Sequence, residues 1–232
     1  MNPDEIDDLL QAADRGLPPD AAHRAAQRAS AMLLPNLRPV RPLPPWWVSA
    51  LSLTTLFAAV TLTVGTVDGL DGLRALSQWQ RAMIFPALLG AGWLAAVACA
   101  REMRPAARSR LGWRATFLCV GLFPILFAFV LHNFSTHDFV AEGLPCLAAG
   151  LRVAIPAGAV IVLLLRRGFV LSWSMAGVAA GILAGLSGLG MLELHCPNLK
   201  APHVMVWHVA VIVVSGLLGL VFGWTADALR RR

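Results

Sequence analysis

Residues 170–192, VLSWSMAGVAAGILAGLSGLGML, form an unbroken stretch without a single charged side chain. A helix that crosses a membrane needs about 20 mostly apolar residues to cover roughly 30 Å of hydrocarbon, and this stretch is long enough. Six stretches of this kind are the predicted spans: Trp47–Val67, Ala82–Ala100, Ala115–His132, Cys146–Leu165, Val170–Leu192 and Val204–Trp224. None shows the alternation of a membrane β-barrel strand. The sequence therefore predicts an all-α integral membrane protein in which residues 47–224 form a six-transmembrane-helix bundle.

The composition of the 232-residue chain excludes most classes of soluble protein. Hydrophobic residues make up 57% of the chain and charged residues 14%. A typical globular domain has roughly 45–50% and 25%. The mean hydropathy is +0.67. Too few polar side chains remain to cover a surface in water. A soluble enzyme, a disordered regulator, a secreted disulfide scaffold and a nucleic-acid-binding domain are therefore excluded as descriptions of the whole chain.

The positive charges predict the orientation of the bundle. Fifteen of the 19 Arg and Lys residues fall in the N-terminal tail, the second and fourth loops and the C-terminus. The loops of the other side carry only Arg74, Arg81 and Lys200. Because positively charged segments stay in the cytoplasm during insertion, both termini are predicted to be cytoplasmic. The basic pI of about 10.4 then reflects orientation and contact with anionic lipid, and no nucleic-acid partner is expected.

The segments outside the bundle are a helical cytoplasmic tail, a Pro-rich linker and a basic cytoplasmic C-terminus, at residues 1–34, 35–46 and 225–232. In the tail, Ile6, Leu9, Leu10 and Ala13 recur at helical spacing and form an apolar stripe. A helix this short is not stable alone in water, so the stripe needs a partner. It can lie on the bilayer or belong to a poorly ordered tail. Because four of the first eight residues are acidic, a groove on a cytoplasmic protein fits the stripe better than an anionic lipid surface.

Two of the four cysteines are predicted at the outer surface, Cys146 at the start of the fourth span and Cys196 after the fifth. His137, His195 and His203 are predicted to lie near them. Thiols and imidazoles bind soft and borderline metals, and a thiol pair can also be oxidised. The chain has no C-x-x-C or H-E-x-x-H motif, and the identity of any metal is unknown. A structural disulfide, a redox- or metal-responsive pair and two unrelated free thiols all stay open.

His203 and His208 lie five residues apart. An α-helix repeats every 3.6 residues, so positions five apart do not share a face well. The sequence therefore does not predict that these two histidines act together.

Arg152 is the one ionised residue in the interior of a predicted span. A charge at that depth is costly and usually faces protein or water. An ion pair with Glu142 or Glu193, near the same surface, is the favoured structural interpretation. The alternative is a small-molecule or ion transporter in which Arg152 is the functional charge.

The fifth and sixth spans repeat small residues at four-residue spacing, at Gly177, Gly181 and Gly185 and at Ser215, Gly219 and Gly223. Such repeats allow close packing of helices, either within the bundle or between two copies of the chain in a homo-dimer.

The six short spans, the helical tail, Cys146, Leu194-His195-Cys196 and Trp207 together resemble the NrsF-type bacterial integral-membrane anti-sigma factors, over nearly the whole chain. The resemblance implies that the tail holds an extracytoplasmic-function sigma factor at the bacterial inner membrane and releases it under heavy-metal or oxidative stress. It also implies that Cys146 and Cys196 are the sensor pair. This chain has Trp207-His208 where the family usually has Trp-Tyr, and it contains no Tyr. No cofactor signature is present, and neither an enzyme nor a thiol oxidoreductase is expected.

Overall fold

The computed structural model of the protein describes residues 44–104 and 110–230, together with three isolated helical positions, Arg24, Gln27 and Ala31. The predicted partner contacts of the tail lie outside the described residues: Ile6, Leu9, Leu10 and Ala13.

The described part of the chain is helical, and its elements follow in this order: α1 (Trp46–Asp68), α2 (Asp71–Ala75), α3 (Gln78–Glu102), α4 (Arg110–Gly121), α5 (Phe123–Val130), α6 (Phe139–Leu165), α7 (Trp173–His195), α8 (Ala201–His203), a π-helix (Val204–His208) and α9 (Val209–Arg230).

Six of these stretches are long and apolar enough to cross a membrane: α1, α3, the α4–α5 pair from Trp113 to Val130, α6, α7 and the last stretch from Ala201 to Arg230. Over residues 44–104 and 110–230 the structure has no β-strand, and an isolated bridge joins Asn133 to Lys200. The predicted all-α bundle with six candidate spans is therefore confirmed. Which end faces the cytoplasm stays a prediction.

Two spans differ from their predicted form. α6 begins at Phe139, so Cys146 lies about two turns inside the helix instead of opening it. The third span is interrupted at Leu122, between α4 and α5. Pro124, in the first turn of α5, explains the interruption because proline has no N–H to continue the helical hydrogen bonds.

α7 is the central helix of the bundle. Of its apolar stretch 89% is buried, against 22–44% for the other five. Its small residues explain how other helices come so close. A side-chain carbon added to Gly177 would collide with the carbonyl oxygen of Gly219, and one added to Gly181 would collide with that of Ser215. The small residues of α7 and α9 are therefore used for packing within the bundle.

The start of α7 is held by the last turns of α9. The carboxylate of Asp227 accepts hydrogen bonds from the backbone N–H groups of Trp173 and Ser174, each at 3.0 Å, and from the Ser174 hydroxyl at 2.7 Å. Arg230 donates to the Val170 carbonyl at 3.3 Å, and its guanidinium lies 5.0 Å from the centre of the Trp173 ring. A carboxylate at a helix N-terminus satisfies free N–H groups and suits the helix dipole. This contact locks the register of α7 against α9.

Candidate metal centre

Two thiols and two imidazoles from separate elements meet at the end of the bundle where α1 reaches Asp68. They are Cys146 in α6, Cys196 directly after α7, His203 at the end of α8 and His208 at the end of the π-helix, and their donor atoms all lie within 4.8 Å of one another. We call these four residues the Cys–His cluster. Three of them are almost fully buried, at 7%, 1% and 1% exposure for Cys196, His203 and His208, while Cys146 is half-buried.

Both thiols of the cluster are free. The sulfur atoms of Cys146 and Cys196 lie 3.6 Å apart, and the Cys196 sulfur lies 3.8 Å from Nε2 of His203. The hydrogen bond with Cys146 and the burial of the side chain raise the pKa of the Cys196 thiol above its ordinary value, while the imidazoles of His203 and His208 oppose this shift.

The π-helix brings the two histidines of the cluster together. Its hydrogen bonds run from residue i to i+5, so positions five apart come onto one face. The rings of His203 and His208 meet edge to face with their centres 5.2 Å apart. The expectation that these two side chains would not share a face is therefore wrong, because the segment from Val204 to His208 is not α-helical.

A buried carboxylate orients one of the two imidazoles. Oε1 of Glu193 lies 2.7 Å from Nδ1 of His208, and the side chains are only 2% and 1% exposed. Nδ1 of His208 is thereby occupied, and Nε2 has no hydrogen-bond partner among the described residues. A carboxylate bound to one ring nitrogen fixes the direction in which the other nitrogen points. Metal-binding histidines usually have such a carboxylate contact.

Close packing holds the elements of the cluster in place. Gly143 lies one turn before Cys146 in α6, and a side-chain carbon there would collide with the Trp207 indole. The Trp207 ring also packs on Phe139, with ring centres 5.5 Å apart. On the other side, a side-chain carbon on Gly72 would lie 2.7 Å from the carbonyl oxygen of Cys196. α2 therefore covers the backbone of the second thiol.

A polar network ties the loop after Cys196 to α6. Lys200 donates to a carboxylate oxygen of Glu142 at 2.8 Å and to the His137 carbonyl at 3.0 Å. The Asn198 amide donates to the same Glu142 oxygen at 2.7 Å. These contacts keep the end of α7 next to the start of α6, about one turn before Cys146.

The structure brings only some of the predicted site residues together. His203 belongs to the cluster, as do both cysteines. His137 is exposed and pairs with the neighbouring Asp138, and His195 is not one of the four donor residues of the cluster. His208 was missed because no residue pattern marks a π-helix.

Arg152 has a partner other than the two expected from the sequence. Its guanidinium donates to Oδ2 of Asp68, at the end of α1, at 2.7 Å. The arginine side chain is 66% exposed and the aspartate 23%. Glu142 is bound to Lys200 instead, and Glu193 to His208.

The fold and the cluster define a multi-pass helical membrane protein with a buried thiol–imidazole site. A family model, described as NrsF, negative regulator of sigma F, matches residues 33–226. The chain therefore belongs to the NrsF family of negative regulators of sigma F, as the resemblance indicated. Membership of this family implies the regulatory role of an anti-sigma factor. Neither the curated proteins nor the solved structures include a match.

Proposed function

We propose that the protein holds an extracytoplasmic-function sigma factor at the bacterial inner membrane through residues 1–34, and releases it when Cys146 and Cys196 respond to a metal or an oxidant. Both termini lie in the cytoplasm, and the Cys–His cluster faces the outer side. The observation that carries the proposal is the pairing of two free thiols, one in α6 and one directly after α7, 50 positions apart in the chain, with their sulfur atoms 3.6 Å apart.

The thiol pair can respond to either stimulus with a change in local geometry. A disulfide needs a sulfur–sulfur distance of about 2.05 Å, so oxidation would bring the two sulfur atoms, now 3.6 Å apart, closer by about 1.5 Å and change how the segments that carry them pack. With hydrogen peroxide as oxidant, the two thiols lose two electrons and two protons, and two waters form. A metal ion would instead join the sulfurs through bonds of about 2.3 Å.

α7 offers a route from the cluster to the tail. Cys196 directly follows α7, and α7 also packs along α1, the helix that leads back to the linker and the tail. Near the cluster, the methyl carbon of Leu194 occupies the space that a side chain on Gly65 would need. Further along, the Thr61 hydroxyl donates to the Ser187 carbonyl at 3.4 Å. α1 is 23 residues long, about 34 Å, so a shift at Asp68 must travel that far to reach the end of the linker that carries the tail.

The required change in affinity is small. A difference of about 1.4 kcal/mol in the free energy of sigma-factor binding between the two states of the cluster lowers the affinity for the partner tenfold. Transport through Arg152 is not proposed, because Asp68 gives that charge a structural partner.

The proposal is tested by recovering the sigma factor with the protein from mildly solubilised membranes. The full-length chain is expected to retain an extracytoplasmic-function sigma factor, and a chain without residues 1–34 to lose it. Equal recovery with both chains would show that the tail is not the binding segment.

The sensing step is tested with two matched double variants. Cys146→Ala with Cys196→Ala is expected to retain the sigma factor under cadmium, chromate and peroxide. Cys99→Ala with Cys119→Ala, which removes the two cysteines outside the cluster, is expected to release it like the natural chain. Normal release by the first variant would refute sensing by this pair.

A further inference from the structure

We propose that Cys146, Cys196, His203 and His208 are the four ligands of one divalent ion of the zinc type, Zn²⁺ or the softer Cd²⁺, and that Glu193 positions His208 for it. The biological role of this ion rests on the proposed function, since it names the ligand of the same thiol pair. The binding chemistry stands on the geometry of the cluster alone.

The donor set has the composition of a closed zinc site. Structural zinc is held by four Cys and His ligands in a tetrahedron, with bonds of about 2.3 Å to sulfur and 2.0–2.1 Å to nitrogen. Hard ions such as Mg²⁺ and Ca²⁺ need a shell of oxygen ligands, which these four side chains do not supply. Four protein ligands also leave no open position for a substrate, so the site is suited to binding and not to catalysis.

The spacing of the donors has the size that a tetrahedron requires. With the bond lengths of zinc, neighbouring ligand atoms lie roughly 3.3–3.8 Å apart. The two sulfurs are 3.6 Å apart, and the sulfur of Cys196 is 3.8 Å from Nε2 of His203. All four donors lie within 4.8 Å of one another. Closing the cluster around an ion therefore needs shifts of about an ångström or less.

A buried imidazole nitrogen without a partner supports the site independently of the donor spacing. His208 is 1% exposed, its Nδ1 is held by Glu193 at 2.7 Å, and its Nε2 has no hydrogen bond within the described residues. Burying a polar atom in this way is costly unless something binds it. A carboxylate–imidazole–metal arrangement explains both nitrogens of the ring. The carboxylate binds Nδ1, fixes the ring and raises its strength as a ligand, and Nε2 is left to bind the ion.

The charge balance suits a buried site. When the ion binds, two sulfur–metal and two nitrogen–metal bonds form, and the two thiols release two protons. With both imidazoles neutral, one divalent ion replaces two protons, so the net charge of the cluster does not change. The ion joins the elements that carry its ligands, α6, the end of α7 and the start of the last span, and so links three of the six spans.

The inference is tested by titrating the full-length, reduced protein in detergent with Co²⁺, followed by competition with Zn²⁺ and Cd²⁺. We expect one ion per chain, the absorption of tetrahedral Co²⁺, a thiolate-to-cobalt charge-transfer band, and displacement by both competitors. Helical circular dichroism and a single elution peak show that the protein is folded. A folded natural chain that binds no Co²⁺ or Zn²⁺, or that binds Co²⁺ without the charge-transfer band, would overturn the proposal.

Variants separate the ligands from their surroundings. Cys146→Ala with Cys196→Ala is expected to remove the charge-transfer band, and His203→Ala to keep the band but weaken binding by more than about 100-fold. Glu193→Gln is expected to weaken binding about 10–100-fold with the tetrahedral spectrum intact. The matched control His137→Ala with His195→Ala is expected to bind like the natural chain.

The control and the Glu193→Gln variant keep the test decisive if a ligand variant does not fold. Unchanged affinity in Glu193→Gln, or loss of binding in the His137 and His195 variant, would contradict the assignment. Because the titration contains only protein and ion, its failure is distinct from failure to recover a sigma factor.

Discussion

The contact between α7 and α9 leads to a prediction that matched glycine variants can test. Gly177→Ala and Gly219→Ala each place a carbon where the backbone carbonyl of the facing helix lies. Gly216→Ala, on α9 as well, places its carbon 3.6 Å from a side-chain atom of Ile182, an ordinary contact. The first two variants should push the helices apart, and the third should fit.

The magnitudes follow from two opposing effects. Replacing a helical glycine by alanine stabilises a helix by up to about 1 kcal/mol. Overpacking a well-packed contact costs about 1–3 kcal/mol, and the upper end applies here because a backbone carbonyl cannot rotate away. Gly216→Ala should therefore be neutral or up to about 1 kcal/mol more stable. Gly177→Ala and Gly219→Ala should be less stable than Gly216→Ala by about 1–3 kcal/mol.

Thermal unfolding of the purified protein in detergent measures this difference. For a chain of this length, each kcal/mol corresponds to roughly 2–4 °C in Tm. A Tm for Gly177→Ala and Gly219→Ala equal to that of Gly216→Ala would show that the two helices do not approach as described. The double variant should be less destabilised than the sum of the two, since the first separation of the helices relieves the second collision.

Three further predictions rest on other contacts. Asp227→Ala should lower the free energy of unfolding by about 1–3 kcal/mol, because two N–H groups at the start of α7 lose their acceptor. Asp227→Asn should lower it by less, and Tm measurements that rank the two variants the other way would contradict this. Mild peroxide should join Cys146 to Cys196 and leave the other two cysteines as free thiols, as alkylation after unfolding and peptide mass spectrometry would show; a bridge to either of the others would be inconsistent with the cluster. Breaking the Arg152–Asp68 pair, whose arginine side chain is 66% exposed, should change stability by less than about 1 kcal/mol in a double-mutant cycle, and a coupling several times larger would mean that the pair is shielded from solvent.

The sequence was sufficient for the number and type of the spans. Long apolar stretches predict membrane helices whatever their neighbours, because a backbone in lipid must satisfy its hydrogen bonds within the segment. The ends of the spans were less well predicted. α6 extends to Phe139, since the polar side chain of its first turns, Glu142, binds the loop after Cys196.

The sequence also indicated which residue types carry the chemistry at the cluster, but not their arrangement. It singled out Cys146, Cys196 and His203, and it rejected joint action by His203 and His208 because it assumed an α-helix between them. The π-helix is a backbone choice made by tertiary packing and leaves no pattern in the residues. Glu193 could not be assigned either, because its partner is 15 positions away on another span.

By itself, therefore, the sequence determined the class of protein, its six spans and three of the four residues of the cluster, because hydropathy and residue type are local properties. The tertiary structure alone decided the fourth donor, the carboxylate that orients it and the partner of Arg152. Each of these depends on side chains from different helices meeting at one place. These helices pack around α7, because its glycines let the backbones of neighbouring helices come close.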